Sequence, residues 1–271
     1  MTETRHDSPR RSRLRAFTVI ELLVVLFIIA LLISVLLPSL AAARGQMRGI
    51  VCSSNIQQIM LANRYYAEDH NGVYCPGASN VLSNLHRWHG TRDHASRPFD
   101  SARGPLVAYL GDDGRIRACP QFPSGEIALE SGGFERGNGG YGYNNAFIGV
   151  QVRRLPSGNY RITNDRAGVV GSRVARPVET VMFTDSAFAA RNLIEYSFAE
   201  PRFHPRYPRF RADPSIHFRH RNQVNVGWCD GHVDARTRTY TWSSGLYPTK
   251  PERFQIGWFG KRDDNSLFDL E

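Results

Sequence analysis

Phe17–Leu37 reads FTVIELLVVLFIIALLISVLL, an apolar run interrupted only by Thr18, Glu21 and Ser34. At about 1.5 Å of rise per residue, a helix of this length spans about 30 Å, the thickness of a bilayer's hydrocarbon core. Arg5, Arg10, Arg11, Arg13 and Arg15 precede it. Positive charge on the short flank keeps that flank in the cytoplasm, so the rest of the chain is expected to cross. The stretch divides the chain into a cytoplasmic leader, 1–16, a membrane helix, 17–40, and an exported body, 41–271. A secretory signal competes with this reading, because it also has a basic start and an apolar run, and Leu40-Ala41-Ala42-Ala43 offers a small-residue cleavage site. Such a signal has no use for Glu21, whose carboxylate is costly inside an apolar segment and calls for a partner.

The segment Arg15-Ala16-Phe17-Thr18-Val19-Ile20-Glu21-Leu22-Leu23-Val24-Val25 resembles the type III signal of type IV prepilins and type II secretion pseudopilins. The resemblance implies that prepilin peptidase cuts between Ala16 and Phe17 and that Phe17 becomes an N-methylated first residue. It also implies that Glu21 pairs with the Phe17 amine of a neighbouring subunit during assembly. Ala16 departs from the family's usual Gly while keeping the side chain small. The expected location is a bacterial inner membrane, crossed once, with the body periplasmic or in a filament. The expected partners are the peptidase, other pilin or pseudopilin subunits and the secretion platform.

Pro38 removes one helical hydrogen bond and invites a kink or local melting. Beyond it, Met47, Ile50, Val51, Ser54, Gln58, Leu61, Ala62 and Tyr65 recur at helical spacing, and His70-Asn71-Gly72 supplies a stop. An amphipathic helix over 41–70 is expected to cover a sheet with that face. Strands are predicted at Thr180–Thr184, Gln223–Trp228 and His232–Thr237, with weaker ones near Arg161 and Tyr240. Cys229-Asp230-Gly231 is the turn of a hairpin. Residues 121–172, rich in Gly, Ser and Asn, read as long loops or an insertion. The fold class is therefore α+β and pilin-like, one long N-terminal helix packed on an antiparallel sheet.

The body resembles a subgroup of pilin-like proteins named for a His, nine residues, Asp-Gly signature. The matching pieces are Arg48, Cys52, Asn55, Gln58 and Leu61 on the helix, then Tyr66, Asp69, Asn71-Gly72 and Tyr74. Cys119-Pro120, Tyr141-Gly142-Tyr143-Asn144, Pro177–Asp185, and His220 with Asp230-Gly231 follow in order. By themselves the four cysteines permit two bridges in three connectivities, and no CxxC pair points to a zinc ribbon. The resemblance suggests one bridge from Cys52 to Cys119 and another from Cys75 to Cys229.

Lys and Arg number 34 against 25 Asp and Glu, a net charge of +9, which favours anionic neighbours. The series Arg202, Arg206, Arg209 and Arg211, interleaved with aromatics and prolines, suits an exposed extended loop, or alternatively a minor pilin's grip on nucleic acid or a surface polymer. His220, Asp230 and Asp185, with His217 and His232 nearby in sequence, are candidates for a site holding Ca²⁺ or another divalent metal; turn and core roles compete. His86, His89 and His94 have gaps that zinc can use, but a solvated loop explains them equally. No GxSxG, P-loop or HExxH pattern is present, and nothing in the chain asks for an enzyme.

Overall fold

A computed structural model describes residues 18–111, 114–122, 135, 137–190, 192–205, 211–243, 245 and 249–271. The expected cleavage junction, Ala16 and Phe17, lies outside the described residues, as do Arg206 and Arg209. The chain forms two compact units, one ending at Arg44 and the other comprising Gly45–Glu271.

Helix α1 spans Val19–Asp69. Its start is fixed by Thr18 and Glu21. The Thr18 N–H and hydroxyl donate to the Glu21 carboxylate at 2.8 and 2.9 Å, and the Glu21 N–H donates back to the Thr18 oxygen at 3.2 Å. This is a Thr-x-x-Glu capping box, which satisfies donors that a helix start leaves free. Pro38 lies inside a helix that runs on past it, so α1 is the one long N-terminal helix expected. Every residue from Thr18 to Arg44 is exposed. The segment has a mean hydropathy of 3.2 in its most apolar window, and by length and composition it can cross a membrane.

Within the second unit, α1 buries Cys52, Asn55, Ile56, Ile59, Met60, Ala62, Asn63 and Ala67. The face predicted to pack is mostly the other one: Met47, Ile50, Val51, Leu61 and Tyr65 are exposed. Two features select the observed face. Asn55 and Asn63 donate to the Tyr141 and Tyr143 hydroxyls at 2.9 and 3.0 Å, so their amides are not stranded on burial. The helix also approaches the sheet closely at Gly227, where an added Cβ would lie 2.8 Å from Ile56 Cγ2 and nearer still to Met60 Sδ.

The strands follow in chain order. β1 (His86–Arg87) and β2 (Gly90–Thr91) make a short hairpin. β3 is Tyr141–Tyr143, and β4 (Gln151–Arg154) pairs with β5 (Tyr160–Asn164). β6 is Val181–Asp185, and β7 (Phe188–Ala189) pairs with β8 (Leu193–Ile194). β9 is Ile216–His217, β10 Gln223–Trp228, β11 Val233–Thr237 and β12 Ile256–Gly257. The main sheet has the order β11-β10-β6-β3 and is antiparallel throughout. Every residue of β6 is buried, which explains a run of apolar residues without alternation.

The β10–β11 hairpin forms around Cys229-Asp230-Gly231, where Gly231 takes the positive φ of 102° that a side chain disfavours. Residues 121–172 are not all loop, since they contain β3 and the β4–β5 hairpin; their glycines and asparagines supply turns between short strands. Asn144, next to β3, donates to the carbonyls of Val181 and Phe268 at 2.9 and 2.8 Å, fastening β6 to the C-terminal segment. Near Tyr240 there is a single bridge to Trp258 rather than a strand.

Candidate functional site

The last residue of β6, Asp185, is fully buried and forms the centre of the one polar cluster with metal-ligating chemistry among the described residues. Arg219 donates to its Oδ1 at 2.8 Å, and the Asn225 N–H donates to Oδ2 at 2.8 Å. His220 Nε2 lies 3.2 Å from Oδ2. Burial pushes the Asp185 carboxyl up, but the Arg219 charge, the His220 contacts and the Asn225 amide outweigh it and hold the group below the usual carboxylate range. Arg219 also binds the carbonyls of Gly140 and Ser186 and Nδ1 of His217. Burial and the Arg219 charge push His217 well below the usual histidine range, so it stays neutral.

The backbone that presents Arg219 and His220 is a tight reversal. His220 and Gln223 exchange both backbone hydrogen bonds at 3.0 Å, and Arg221 and Asn222 between them have φ of 56° and 64°. Two successive positive φ values are the mark of a type I′ turn, and Arg is an uncommon occupant of its first corner. The turn directs the His220 ring inward. Its Nδ1 meets Gln121 Oε1 at 2.8 Å, and its Nε2 also lies 3.7 Å from Cys119 Sγ. Cys119 is disulfide-bonded to Cys52 of α1, with Cα atoms 5.2 Å apart. A cleft of about 610 Å³ opens beside this cluster, with His220, Gly49, Ser53, Asn225 and Asp234 in its walls.

Asp230 does not join this site. It lies beyond the far end of β10, about 20 Å of extended strand from His220. There it accepts from the N–H of His232 at 3.1 Å and meets the His232 ring at 2.7 Å. The nine-residue spacing of the signature thus measures one strand: His220 serves its start and Asp230-Gly231 the turn after it. Of the divalent-metal set His220, Asp230 and Asp185, only His220 and Asp185 come together, and they do so with Cys52 and Cys119.

The suggested Cys75–Cys229 bridge is also corrected, since both thiols are free and buried. Cys75 is tied by its N–H to Asn63 Oδ1 at 2.9 Å, and Cys229 by its N–H to the Thr180 carbonyl at 2.9 Å, so each backbone is fixed by other partners. Burial pushes both thiols up, which leaves them unreactive.

The histidines of the β1–β2 region are not brought together. His86 is exposed, His94 bonds Ser96 at 2.8 Å, and buried His89 meets the Ser197 hydroxyl at 2.7 Å. Arg202, the first arginine of the basic series, is 3% exposed, lies 3.9 Å over the Trp242 ring and pairs with Asp263. Arg211 pairs with the same carboxylate at 3.0 Å.

Against this geometry, the chain matches no family model, no curated protein and no solved structure. The long apolar helix and antiparallel sheets are compatible with a pilin-like layout. Two site features were missed in reading the sequence. The Thr18-x-x-Glu21 capping box has a signature visible in the chain, and Arg219 as the partner of Asp185 has none.

Proposed function

We propose that this protein is a structural subunit of a type IV pilus-like or type II secretion pseudopilus filament, held in a bacterial inner membrane until assembly and matured by prepilin peptidase. The observation that carries this reading is α1, one uninterrupted helix whose first part is apolar and bare. A surface of that composition is stable in lipid, or against copies of itself when the subunit leaves the lipid.

The exposed face of the second part supports the same reading. Met47, Val51, Ser54, Gln58, Leu61 and Tyr65 repeat at alternating gaps of four and three and stay exposed. This is the spacing of a helix–helix seam. Glu21, capped by Thr18 within its own chain, exchanges this local partner for a neighbour's amine on assembly. The nucleic-acid alternative draws less support, because Arg202 is already stacked and paired internally.

The test is intact-mass and N-terminal analysis of the membrane-extracted protein. A mature chain beginning at N-methylated Phe17 is expected. A chain beginning after Ala43, or one retaining Met1, overturns the filament reading.

A further inference from the structure

Four electron-rich atoms converge beside β6: Sγ of Cys52 and of Cys119, the His220 imidazole nitrogen and an Asp185 carboxylate oxygen. All lie within 4.8 Å of one another, and all four residues are buried. Tetrahedral zinc, with bonds of about 2.0–2.3 Å, sets its ligands about 3.3–3.8 Å apart, so the cluster needs only the sulfur–sulfur bond opened and small side-chain adjustments. We propose that reduction of the Cys52–Cys119 disulfide converts this cluster into a zinc site, with both cysteines, His220 and Asp185 as its four ligands.

The surrounding groups are arranged as a metal's outer partners are. Gln121 Oε1 accepts a hydrogen bond from the Nδ1–H of His220 at 2.8 Å, which leaves Nε2 facing the other three ligand atoms. Arg219 and the Asn225 N–H grip the carboxylate at 2.8 Å each and fix its orientation. Two thiolates, one carboxylate and a neutral imidazole around Zn²⁺ leave one negative charge, which Arg219 balances. Ligands of this kind, two soft sulfurs with imidazole, suit zinc rather than Ca²⁺ or Mg²⁺. Of the four ligands, His220 stands in the wall of the neighbouring cleft.

The conversion is balanced with a phosphine as reductant. The phosphine and one water reduce the disulfide to two thiols and leave as phosphine oxide. Zn²⁺ then displaces the two thiol protons and the proton shared between His220 Nε2 and Asp185 Oδ2, and forms two zinc–sulfur bonds, one zinc–nitrogen bond and one zinc–oxygen bond. The bonded sulfurs and the metal are alternative occupants of one place, so the site reports the redox state of its surroundings. This proposal is independent of the filament reading.

The experiment uses the full chain in detergent, reduced with a phosphine without oxygen, given zinc, passed over a desalting column and assayed for metal. About one zinc per reduced chain is expected, and less than about a tenth of that in the unreduced chain. Zinc is expected to shield Cys52 and Cys119 from alkylation, read by peptide mass, and Co²⁺ in its place to give the thiolate charge-transfer band and visible absorption of a tetrahedral site. The Cys75→Ala, Cys229→Ala double variant should retain the metal. His220→Asn should form the disulfide and keep its circular dichroism, yet lose at least about ten-fold in zinc retention. The proposal is overturned if the reduced chain retains no zinc, if the unreduced chain retains as much, if His220→Asn binds equally well, or if the ion follows Cys75 and Cys229.

Discussion

The two parts of α1 share one backbone and have opposite fates. Residues 18–44 are the more apolar and entirely exposed, whereas 45–69 carry asparagines, glutamines and arginines and yet bury eight side chains. Apolarity therefore does not by itself decide what is buried in this chain; complementarity does. The second part finds two tyrosine hydroxyls for its amides and a glycine in the sheet that admits Ile56 and Met60. The first part packs on no such surface among the described residues; by length and composition it is apolar enough to cross a membrane.

The largest expected effect tests that contrast with one change made twice. Ile56→Ala removes a fully buried side chain and should lower the unfolding free energy of the 45–271 unit by about 3 kcal/mol. Ile28→Ala, in the bare part, should alter it by less than about 0.5 kcal/mol. Denaturant unfolding of both variants in detergent measures the pair. Equal losses would break the comparison.

A pH series sharpens it next. Burial pushes the Glu200 carboxyl up to about 7 against an ordinary 4.5; its bond from Tyr196 opposes the rise, and the charges of Asp213 and Glu135 add to it. The folded state thus holds this proton more tightly than the unfolded chain does. The associated stability is complete below about pH 4.5 and is lost as pH rises through about 7, on the order of 3 kcal/mol in all. Glu200→Gln should flatten that slope in thermal melts. A slope that persists in the variant assigns the proton to another group.

The smallest effect concerns the turn beside the polar centre. Arg221→Asn places a residue tolerant of positive φ at the first corner and should raise the stability of the 45–271 unit by about 1 kcal/mol. An unchanged or lowered melting temperature would mean that the Arg221 side chain contributes something the turn geometry does not show.

Much of this was legible in the chain because it depends on neighbours in sequence. The membrane-length run needs only consecutive apolar residues, and the β10–β11 hairpin needs only alternation around an Asp-Gly turn. What escaped depends on partners far away. The helical period of α1 is visible in the chain, but the sequence pattern favours the face with Met47, Val51, Leu61 and Tyr65, since nothing local reveals that Asn55 and Asn63 meet tyrosines about eighty residues later. The signature spacing from His220 to Asp230 invited one site, whereas a β-strand of that length must separate its ends. Residues 121–172 hid β3 and β4 because each is short and the intervening glycines dominate the composition, whereas β5 showed as the weaker strand signal near Arg161.

The Cys52–Cys119 bond has a mechanical consequence. It fastens α1 to the body seven residues beyond Gly45, where the compact second unit begins. A pull delivered along the helix from its N-terminal end therefore reaches a covalent rivet before it can peel Ile56, Ile59, Met60 and Asn63 from the sheet. Tension is carried across to the segment at Cys119 instead of unzipping the helix turn by turn, so the strength of the attachment is set by that rivet rather than by the packing behind it.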